Sequence, residues 1–263
     1  MRPPILTLTT DFGGDGPYVA AMKGVVLARV PHVQLVDVSH RIGPQNVLEA
    51  AFVIACVVDT FPPGTVHLGV VDPGVGTQRR LIAARLAEQW FVVPDNGFLT
   101  YVARNFSVQE VFELENRAIA REPISNTFHG RDLLAPAAAH LLLGRPPQEL
   151  GPPRHGITRL PAVEPRRDGS EVVGEVIFGD SFGNLITNVP VEMLGETSPE
   201  DWDIEIAGHR IHGLTRTYGL QPPGTLVSLV GSSGWLEVSL VNGDAGRFLD
   251  CGAGATVWFR KKG

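Results

Sequence analysis

Short runs of β-branched and other apolar residues alternate with longer amphipathic stretches along the first 145 residues. The short runs predict strands, and the longer stretches, whose apolar positions recur with helical spacing, predict helices. This alternation is typical of a wound α/β sheet in which helices connect mostly parallel strands. The predicted strands cover 5–10, 33–38, 66–71, 81–86 and 90–93, and the predicted helices cover 18–29, 47–59, 97–104 and 133–143.

The pattern changes near residue 150. Residues 150–169 are rich in Pro, Arg and Gly and have no apolar period, which is typical of a connector. Beyond them only short strands separated by glycine-bearing turns are predicted, over 171–178, 204–206, 226–230, 235–241 and 256–260, as in a barrel or sandwich. We therefore predict an α/β domain with a wound, mostly parallel sheet over 1–155, a connector over 156–169 and an all-β barrel domain over 170–263.

Composition and charge narrow the function classes. The 263 residues include 22 Lys and Arg against 28 Asp and Glu, a net charge of −6, so no basic face for nucleic acid is expected. Gly, Pro or a charged residue interrupts every apolar run before the roughly 18–20 residues that span a bilayer. The first residues, Met-Arg-Pro-Pro, do not resemble a signal peptide, and we expect a cytoplasmic protein that binds neither nucleic acid nor membrane.

Carboxylates follow three predicted strands of the first domain. Asp11, Asp72 and Asp95 each stand where a strand ends and a glycine-bearing turn begins. Aspartate is common in turns and at helix caps, and any one of the three fits that role. In a wound sheet, however, the carboxyl ends of the strands form the ligand crevice, so three such residues together indicate a site.

The chemistry of this crevice is limited by what the sequence lacks. Neither GxGxxG nor GxxxxGK[ST] occurs, so a phosphate ligand is disfavoured, and carboxylates instead suit a ribose diol or a cationic ligand. Arg79 follows Asp72 in the same loop, either as a brace or as the partner that keeps the carboxylate ionised beside a reacting group. His129 precedes a predicted helix and is a candidate for activating water. A metal site is the weaker interpretation, because no HxH, HxxxH or DxD spacing groups these Asp and His residues.

The second domain contributes two polar turns. One contains Asp180 and Asn184, and the other contains Ser232 and Ser233 and leads to Glu237. Both fit ordinary turns of a barrel. Alternatively, Asn184 reads the edge of a heterocycle through its paired donor and acceptor, and the serines hold a small polar end group.

Taken together, six motifs resemble one family. They are TTDFG at 9–13, DVSH at 37–40, VVDPGVG at 70–76 followed by Arg79 and Arg80, PDNG at 94–97, FHGRD at 128–132 and DSFGN at 180–184. In this order they resemble the S-adenosyl-L-methionine (SAM) hydrolase family, also called SAM hydroxide adenosyltransferases, which are relatives of fluorinase and chlorinase. The resemblance covers almost the whole chain.

The resemblance implies a fold, an assembly and a reaction. It implies a homotrimer in which SAM lies between the α/β domain of one subunit and the barrel of its neighbour, and in which water displaces methionine from C5′ to give adenosine without a cofactor. The catalytic triad implied is Asp72, Arg79 and His129, and Asp11 would bind the ribose hydroxyls. The implied substrate contacts in the barrel are Asn184 at the adenine, Ser232, Glu237 and the backbone near Leu240, and Asp180 and Ser233 at the methionine end.

One position departs from the family pattern. Where the family usually has an Asp before Pro-Tyr, this chain has Gly16, and Asp15 stands one residue earlier as a candidate replacement. Two other functions stay open. One is a non-catalytic adenosine or SAM binder in which the triad is only an ion-pair brace. The other is a halide-dependent adenosyltransferase, although the retained Asp72 and His129 favour water as the nucleophile.

Overall fold

The structure is a computed structural model that describes residues 3–161, 164–196 and 198–262. Positions 1, 2, 162, 163, 197 and 263, which include part of the predicted connector, lie outside the described residues. The chain divides into two compact units, Met1–Leu160 and Pro161–Gly263.

The N-terminal unit contains a six-stranded sheet with helices. Its strands are β1 (Ile5–Thr10), β2 (Gln34–Ser39), β3 (Val66–Val70), β4 (Leu81–Leu86), β5 (Gln89–Pro94) and β6 (Glu110–Glu113). Its helices are α1 (Pro17–Arg29), α2 (Val47–Ala55), α3 (Val102–Asn105) and α4 (Ala135–Leu142), and a π-helical turn, Gly130–Leu134, leads directly into α4.

The sheet is mixed. Its order is β2-β1-β3-β5-β4-β6, with parallel pairing from β2 to β5 and antiparallel pairing of β4 with both neighbours. The reversal has a local cause, because β4 and β5 are joined by Ala87 and Glu88, whose φ angles are 52° and 58°. A two-residue turn with positive φ makes a hairpin, whose strands are antiparallel. The expectation of a wound, mostly parallel sheet therefore applies to β2, β1, β3 and β5.

Apolar residues cover both faces of this sheet. On one face, Leu8 and Leu68 pack with Met22 and Val26 of α1 and with the alanine-rich α4. On the other face the sheet packs against α2 and α3. The alternation of strand side chains explains how neighbouring residues of β4 reach opposite cores.

Two predicted helices are shorter in the structure. The helix predicted over 47–59 ends at Ala55 and is followed by a 3₁₀ turn, Val58–Thr60. The helix predicted over 97–104 begins only at Val102. Gly97 has a φ of +102°, and a Cβ there would lie 2.6 Å from the Leu160 side chain, so the chain turns at this position instead of starting a helix.

The C-terminal unit is a strongly curved sheet of nine strands. Its strands are β7 (Arg166–Asp168), β8 (Glu171–Gly179), β9 (Leu185–Pro190), β10 (Trp202–Ile206), β11 (His209–His212), β12 (Leu214–Thr215), β13 (Leu226–Val230), β14 (Trp235–Leu240) and β15 (Thr256–Lys261), and a short α-helix, α5 (Ala245–Leu249), precedes the last of them. The main path runs β11-β10-β15-β8-β9-β14-β13-β12, and β11 lies close to β13. The sheet is therefore nearly closed around a core that includes Trp202 and Phe259.

Residues at both ends of the predicted connector make hydrogen bonds within one of the two units. The backbone N–H of Thr158 donates to Asp95 at 2.7 Å and that of Leu160 donates to Thr100 Oγ1 at 2.9 Å, both within the N-terminal unit. In the C-terminal unit, β7 pairs with β8.

A histidine is buried in the middle of the N-terminal sheet. His67 of β3 is 1% exposed, its Nδ1 lies 2.7 Å from Thr7 Oγ1, its Nε2 lies 2.5 Å from Gln89 Oε1, and its ring stacks on Phe91. Burial lowers the pKa of His67 to about 4, against the smaller opposing effect of the Gln89 hydrogen bond. The ring is thus neutral in the folded protein at neutral pH.

We expect His67 to make the protein acid-sensitive. Between pH 6.5 and about 4 the unfolded chain binds a proton at this ring that the folded chain does not. The free energy of unfolding therefore falls with acidification in this window, by about 3 kcal/mol in total. Urea unfolding from pH 7 to pH 4 measures this loss, and His67→Gln should remove it while exposed His32→Gln should not. An unchanged pH slope in His67→Gln would contradict the assignment.

Candidate active site

A buried ion pair follows β3. Arg79 Nε donates to Asp72 Oδ1 at 2.8 Å and Arg79 Nη2 donates to Asp72 Oδ2 at 2.5 Å. The Asp72 side chain is 5% exposed and the Arg79 side chain is 13% exposed. Two parallel, charge-assisted bonds fix the plane of the carboxylate as well as its charge. The loop thus contains the ion pair that both interpretations of Asp72 and Arg79 require.

The same guanidinium reaches His129. Arg79 Nη2 lies 2.9 Å from His129 Nδ1. Because a guanidinium carries donors and no acceptor, Nδ1 must accept this bond, and the hydrogen of the neutral ring is on Nε2. Burial lowers the pKa of His129, and the positive charge of Arg79 lowers it further, against the smaller effect of Asp72. His129 is therefore a neutral hydrogen-bond donor through Nε2, which has no partner among the described residues.

Glycine allows the two loops to meet. Arg79 lies at the end of the turns that follow Asp72, and these turns pass close to the segment before His129. Gly76 has a φ of +79°, and a Cβ there would lie 2.5 Å from the carbonyl oxygen of Asn126. A side chain at position 76 would push the loops apart, so the contact between Arg79 and His129 depends on this glycine.

His129 stands directly before the π-helical turn. In this turn the N–H of Ala135 donates to the carbonyl of Gly130, five residues earlier. Asp132, within the turn, is fully buried and accepts from Arg131 Nε at 2.7 Å and from the Ser125 N–H at 2.9 Å. Burial acts to raise the pKa of Asp132, but these hydrogen bonds and the nearby arginine charges hold it below its usual value. Asp132 thus braces the turn, and the hydrogen-bond partner of His129, Arg79, comes from the other loop.

The three strand-end aspartates lie at one edge of the sheet, as predicted, because β1, β3 and β5 are parallel neighbours. Their surroundings differ. Asp11 is partly exposed and its Oδ2 accepts from the Gln45 N–H at 2.8 Å. Asp95 is engaged by Arg80 at 2.5 Å and by the N–H of Thr158, which assigns it a bracing role outside the candidate site.

An aromatic cluster that sequence reasoning missed lies between these loops. Phe12 follows Asp11, Phe128 precedes His129, and the ring of Tyr18 packs edge-on against Phe128 with centroids 5.2 Å apart. The ring of Tyr18 also lies over Gly16, where a Cβ would be 3.2 Å from Cδ2. The cluster joins residues up to 116 positions apart, Phe12 and Phe128, so no local pattern in the sequence indicates it.

Position 16 departs from the family pattern, and the Tyr18 ring occupies the space beside it. A side chain at this position would meet the ring. Asp15 is exposed and makes no hydrogen bond or ion pair with any described residue.

In the C-terminal unit, Asp180 and Asn184 close the turn between β8 and β9. Asp180 Oδ1 accepts from the backbone N–H groups of Phe182 and Asn184, both at 2.9 Å. Asp180 Oδ2 accepts from Asn184 Nδ2, also at 2.9 Å. One amide hydrogen of Asn184 is thus used inside the turn, which leaves its carbonyl oxygen and a second amide hydrogen for a ligand.

A buried carboxylate lies near this turn. Glu237 is 5% exposed, and its Oε1 accepts a short hydrogen bond from the Tyr218 hydroxyl. Burial raises the pKa of Glu237, and the charge of Asp180 adds to the rise, against hydrogen bonds from Tyr218 and Ser239 that lower it. Tyr218 was not predicted, because it stands 19 residues before its partner in an irregular stretch.

The remaining predicted residues of this unit lie at the two ends of β14. Ser232 and Ser233 are exposed in the turn before the strand. Leu240 is the last residue of β14, and its side chain packs on the following turn, where a Cβ at Gly243 would lie 2.5 Å from it. All the residues predicted for this unit, Asn184, Ser232, Glu237, Leu240, Asp180 and Ser233, are therefore at one of these two turns or along β14.

Two family models match the chain. The SAM hydroxide adenosyltransferase N-terminal domain matches residues 6–151, and the C-terminal domain of the same family matches residues 174–258. The chain belongs to this family.

Individual relatives agree with this assignment. A protein of Thermus thermophilus named (R)-S-adenosyl-L-methionine hydrolase is 39% identical over 98% of this chain and 99% of its own length. A fluorinase of an Actinoplanes species is 30% identical over 71% of this chain and 72% of its own. Among solved structures, an uncharacterized conserved protein from Thermotoga maritima is 34% identical, has a TM-score of 0.91, and covers 98% of this chain and all of its own.

No three or more His, Cys, Asp or Glu side chains are grouped to hold a metal ion within residues 3–161, 164–196 and 198–262. In the same part of the chain, no helix combines the length and the apolar character that a membrane crossing requires.

Proposed function

We propose that this protein hydrolyses SAM at C5′ of its ribose, giving adenosine and L-methionine. The observation that carries the proposal is the bonded group of Asp72, Arg79 and His129, buried beside Asp11 at the carboxyl edge of the sheet. The proposal is supported by the family and by the name of the Thermus relative, which is 39% identical over nearly the whole chain.

The chemistry fits an acidic crevice. The sulfonium of SAM is a cation, and methionine leaves as a neutral thioether, so no general acid is needed. The water oxygen forms a bond to C5′ while the C5′–S bond breaks. The electron pair of the C5′–S bond stays on sulfur. One proton of the water is released. Catalysis therefore consists mainly of holding water in line with the C5′–S bond and shielding it from solvent.

The triad has a distinct role for each member. Neutral His129 donates its Nε2 hydrogen to the water oxygen and thereby positions it. Asp72 accepts a hydrogen bond from the water and takes the proton as the C5′–O bond forms. Arg79 binds both partners through one guanidinium and fixes their relative orientation. On this mechanism His129 is not the base, because Arg79 occupies its only lone pair.

The remaining residues bind the substrate. We assign Asp11 to the ribose hydroxyls, Asn184 to the adenine, and Asp180 and Ser233 to the methionine end. Ser232, Glu237 and the backbone near Leu240 complete the contacts. No cofactor or metal enters the proposed reaction.

We also propose that the protein is a homotrimer with each substrate bound between the N-terminal unit of one subunit and the C-terminal unit of its neighbour. The proposed substrate residues are divided between the two units, with Asp11 in one and Asn184 in the other. The C-terminal unit would act as an all-β barrel that supplies polar turns to the neighbouring site.

The decisive test is the reaction itself. Purified protein is incubated with each sulfonium epimer of SAM in H₂¹⁸O, and products are followed by chromatography and mass spectrometry. We expect adenosine and methionine from the (R) epimer, with the label in the 5′ hydroxyl. No adenosine, together with tight adenosine binding by calorimetry, would instead support a non-catalytic binder. A 5′-halo-adenosine formed on adding chloride or fluoride would support a halide-dependent adenosyltransferase.

A further inference from the structure

The DVSH motif at 37–40 has no role in the proposed reaction, yet its side chains contact the site. β2 ends beside β1, so His40 lies next to the residues around Asp11. Lys23 Nζ of α1 donates to Asp37 Oδ2 at 2.6 Å, and His40 Nε2 lies 3.0 Å from Asp37 Oδ1. These contacts place a carboxylate next to Nε2 of the imidazole.

His40 holds the backbone on both sides of Asp11. Its Nδ1 lies 2.9 Å from Oγ1 of Thr10, the residue before Asp11. The same hydroxyl oxygen accepts from the Phe12 N–H at 3.3 Å, and the His40 carbonyl accepts from the Gly13 N–H at 2.8 Å. Thr10 is fully buried, so this link is shielded from water.

The charge of Asp37 determines which ring nitrogen of His40 carries the hydrogen. Burial acts to raise the pKa of Asp37, but the hydrogen bonds to Lys23 and His40 and the charge of Lys23 outweigh burial and hold the pKa below its usual value. An ionised Asp37 favours a hydrogen on Nε2 of His40, because a lone pair there would face a carboxylate. In the neutral ring Nδ1 then accepts the hydroxyl hydrogen of Thr10.

Only one oxygen of the Asp11 carboxylate is hydrogen-bonded to a described residue. Its Oδ2 accepts from the N–H of Gln45, five residues after His40 in the same segment. Its Oδ1 has no partner among the described residues. A carboxylate that is fixed at one oxygen and free at the other suits a ligand hydroxyl.

We propose that His40 is a positioning residue that holds Asp11 for recognition of a ribose diol, acting through Thr10. The proposal rests on the proposed function, which assigns Asp11 to the ribose hydroxyls. It extends that function, because it makes specificity for ribose depend on His40, a residue that does not itself contact the substrate.

The test compares two ligands that differ only in the hydroxyls. Calorimetry gives the Kd of adenosine and of 2′,3′-dideoxyadenosine for wild type, His40→Ala and a control, His32→Ala, which changes an exposed histidine. Wild type should prefer adenosine by about tenfold or more, the effect of a hydrogen bond to a charged group. His40→Ala should reduce this ratio to about threefold or less, and His32→Ala should leave it unchanged.

The ratio separates positioning from general damage. If His40→Ala weakens both ligands equally, or keeps the full ratio, the proposal is wrong. If His40→Ala fails to fold, Thr10→Val removes the same link while keeping the side-chain shape, and it should also reduce the ratio, whereas Thr10→Ser should preserve it. A wild type that binds adenosine without any preference for the hydroxyls would overturn the role of Asp11 itself, and with it this inference.

Discussion

Asp72→Asn is expected to lower kcat for SAM hydrolysis by about three orders of magnitude, within the usual range for losing a positioned proton acceptor. Asparagine keeps the shape of the side chain but loses its charge, and it presents an amide N–H₂ where Arg79 needs an acceptor. The proton of the attacking water then has no anionic acceptor. Single-turnover measurement of adenosine formation gives the rate, and thermal melting by circular dichroism confirms that the variant is folded.

The chain offers a matched control for this variant. Asp95 follows the neighbouring strand, is 2% exposed and pairs with the next arginine, Arg80, at 2.5 Å. Asp95→Asn should cost stability but leave kcat per folded molecule within about threefold, since in the proposed mechanism the carboxylate that contacts the water is that of Asp72 and not that of Asp95. If Asp72→Asn keeps more than a tenth of the wild-type rate, its charge is not part of the chemistry.

His129 should set the acid limb of the pH profile. Protonation at Nδ1 would place a hydrogen where Arg79 Nη2 donates, so the protonated form cannot keep the triad together. Since the pKa of His129 is lowered, kcat/KM should stay constant down to below pH 6.5 and then fall tenfold per pH unit. Adenosine formation measured from pH 8 to pH 4.5, over the range in which wild type remains folded, gives this profile.

Two substitutions separate the functions of the imidazole. His129→Ala should lower kcat about 100-fold and remove the acid limb. His129→Gln can restore a donor near the position of Nε2 and should recover part of the rate, also without the acid limb. An acid limb that persists in both variants would assign the titration to another group.

Strand bounds followed from sequence where the residues alternate or run apolar between turn residues. β1, β4 and β13 were predicted at their observed bounds for this reason. β9 was missed because its centre is polar and yet buried. Thr187 Oγ1 donates to the carbonyl of Leu236 at 2.7 Å, and Asn188 Oδ1 accepts from the Glu175 N–H at 2.9 Å. These partners lie in neighbouring strands, 13 and 49 residues away in the chain, so the polar pattern alone indicates exposure.

Contacts within the candidate site were also predicted only where the partners are close in sequence. Asp72 and Arg79 are seven residues apart in one loop, and their spacing was enough to predict the ion pair. His129 is 50 residues from Arg79, and only the resemblance to a family joined it to them. The contacts of Thr10 with His40 and of Tyr218 with Glu237 were not predicted, because each pair meets only after the sheets have formed.

The π-helical turn after His129 sets the angular phase of that histidine relative to α4. Such a turn contains one residue more than the corresponding α-helical turn, and each helical residue corresponds to a rotation of about 100°. Deleting a single residue from Gly130–Leu134 would restore α-helical geometry and turn His129 away from Arg79. The length of this five-residue segment is therefore as much a determinant of the triad as the identity of the histidine, and relatives with a shortened segment should have lost hydrolysis even where all three triad residues remain.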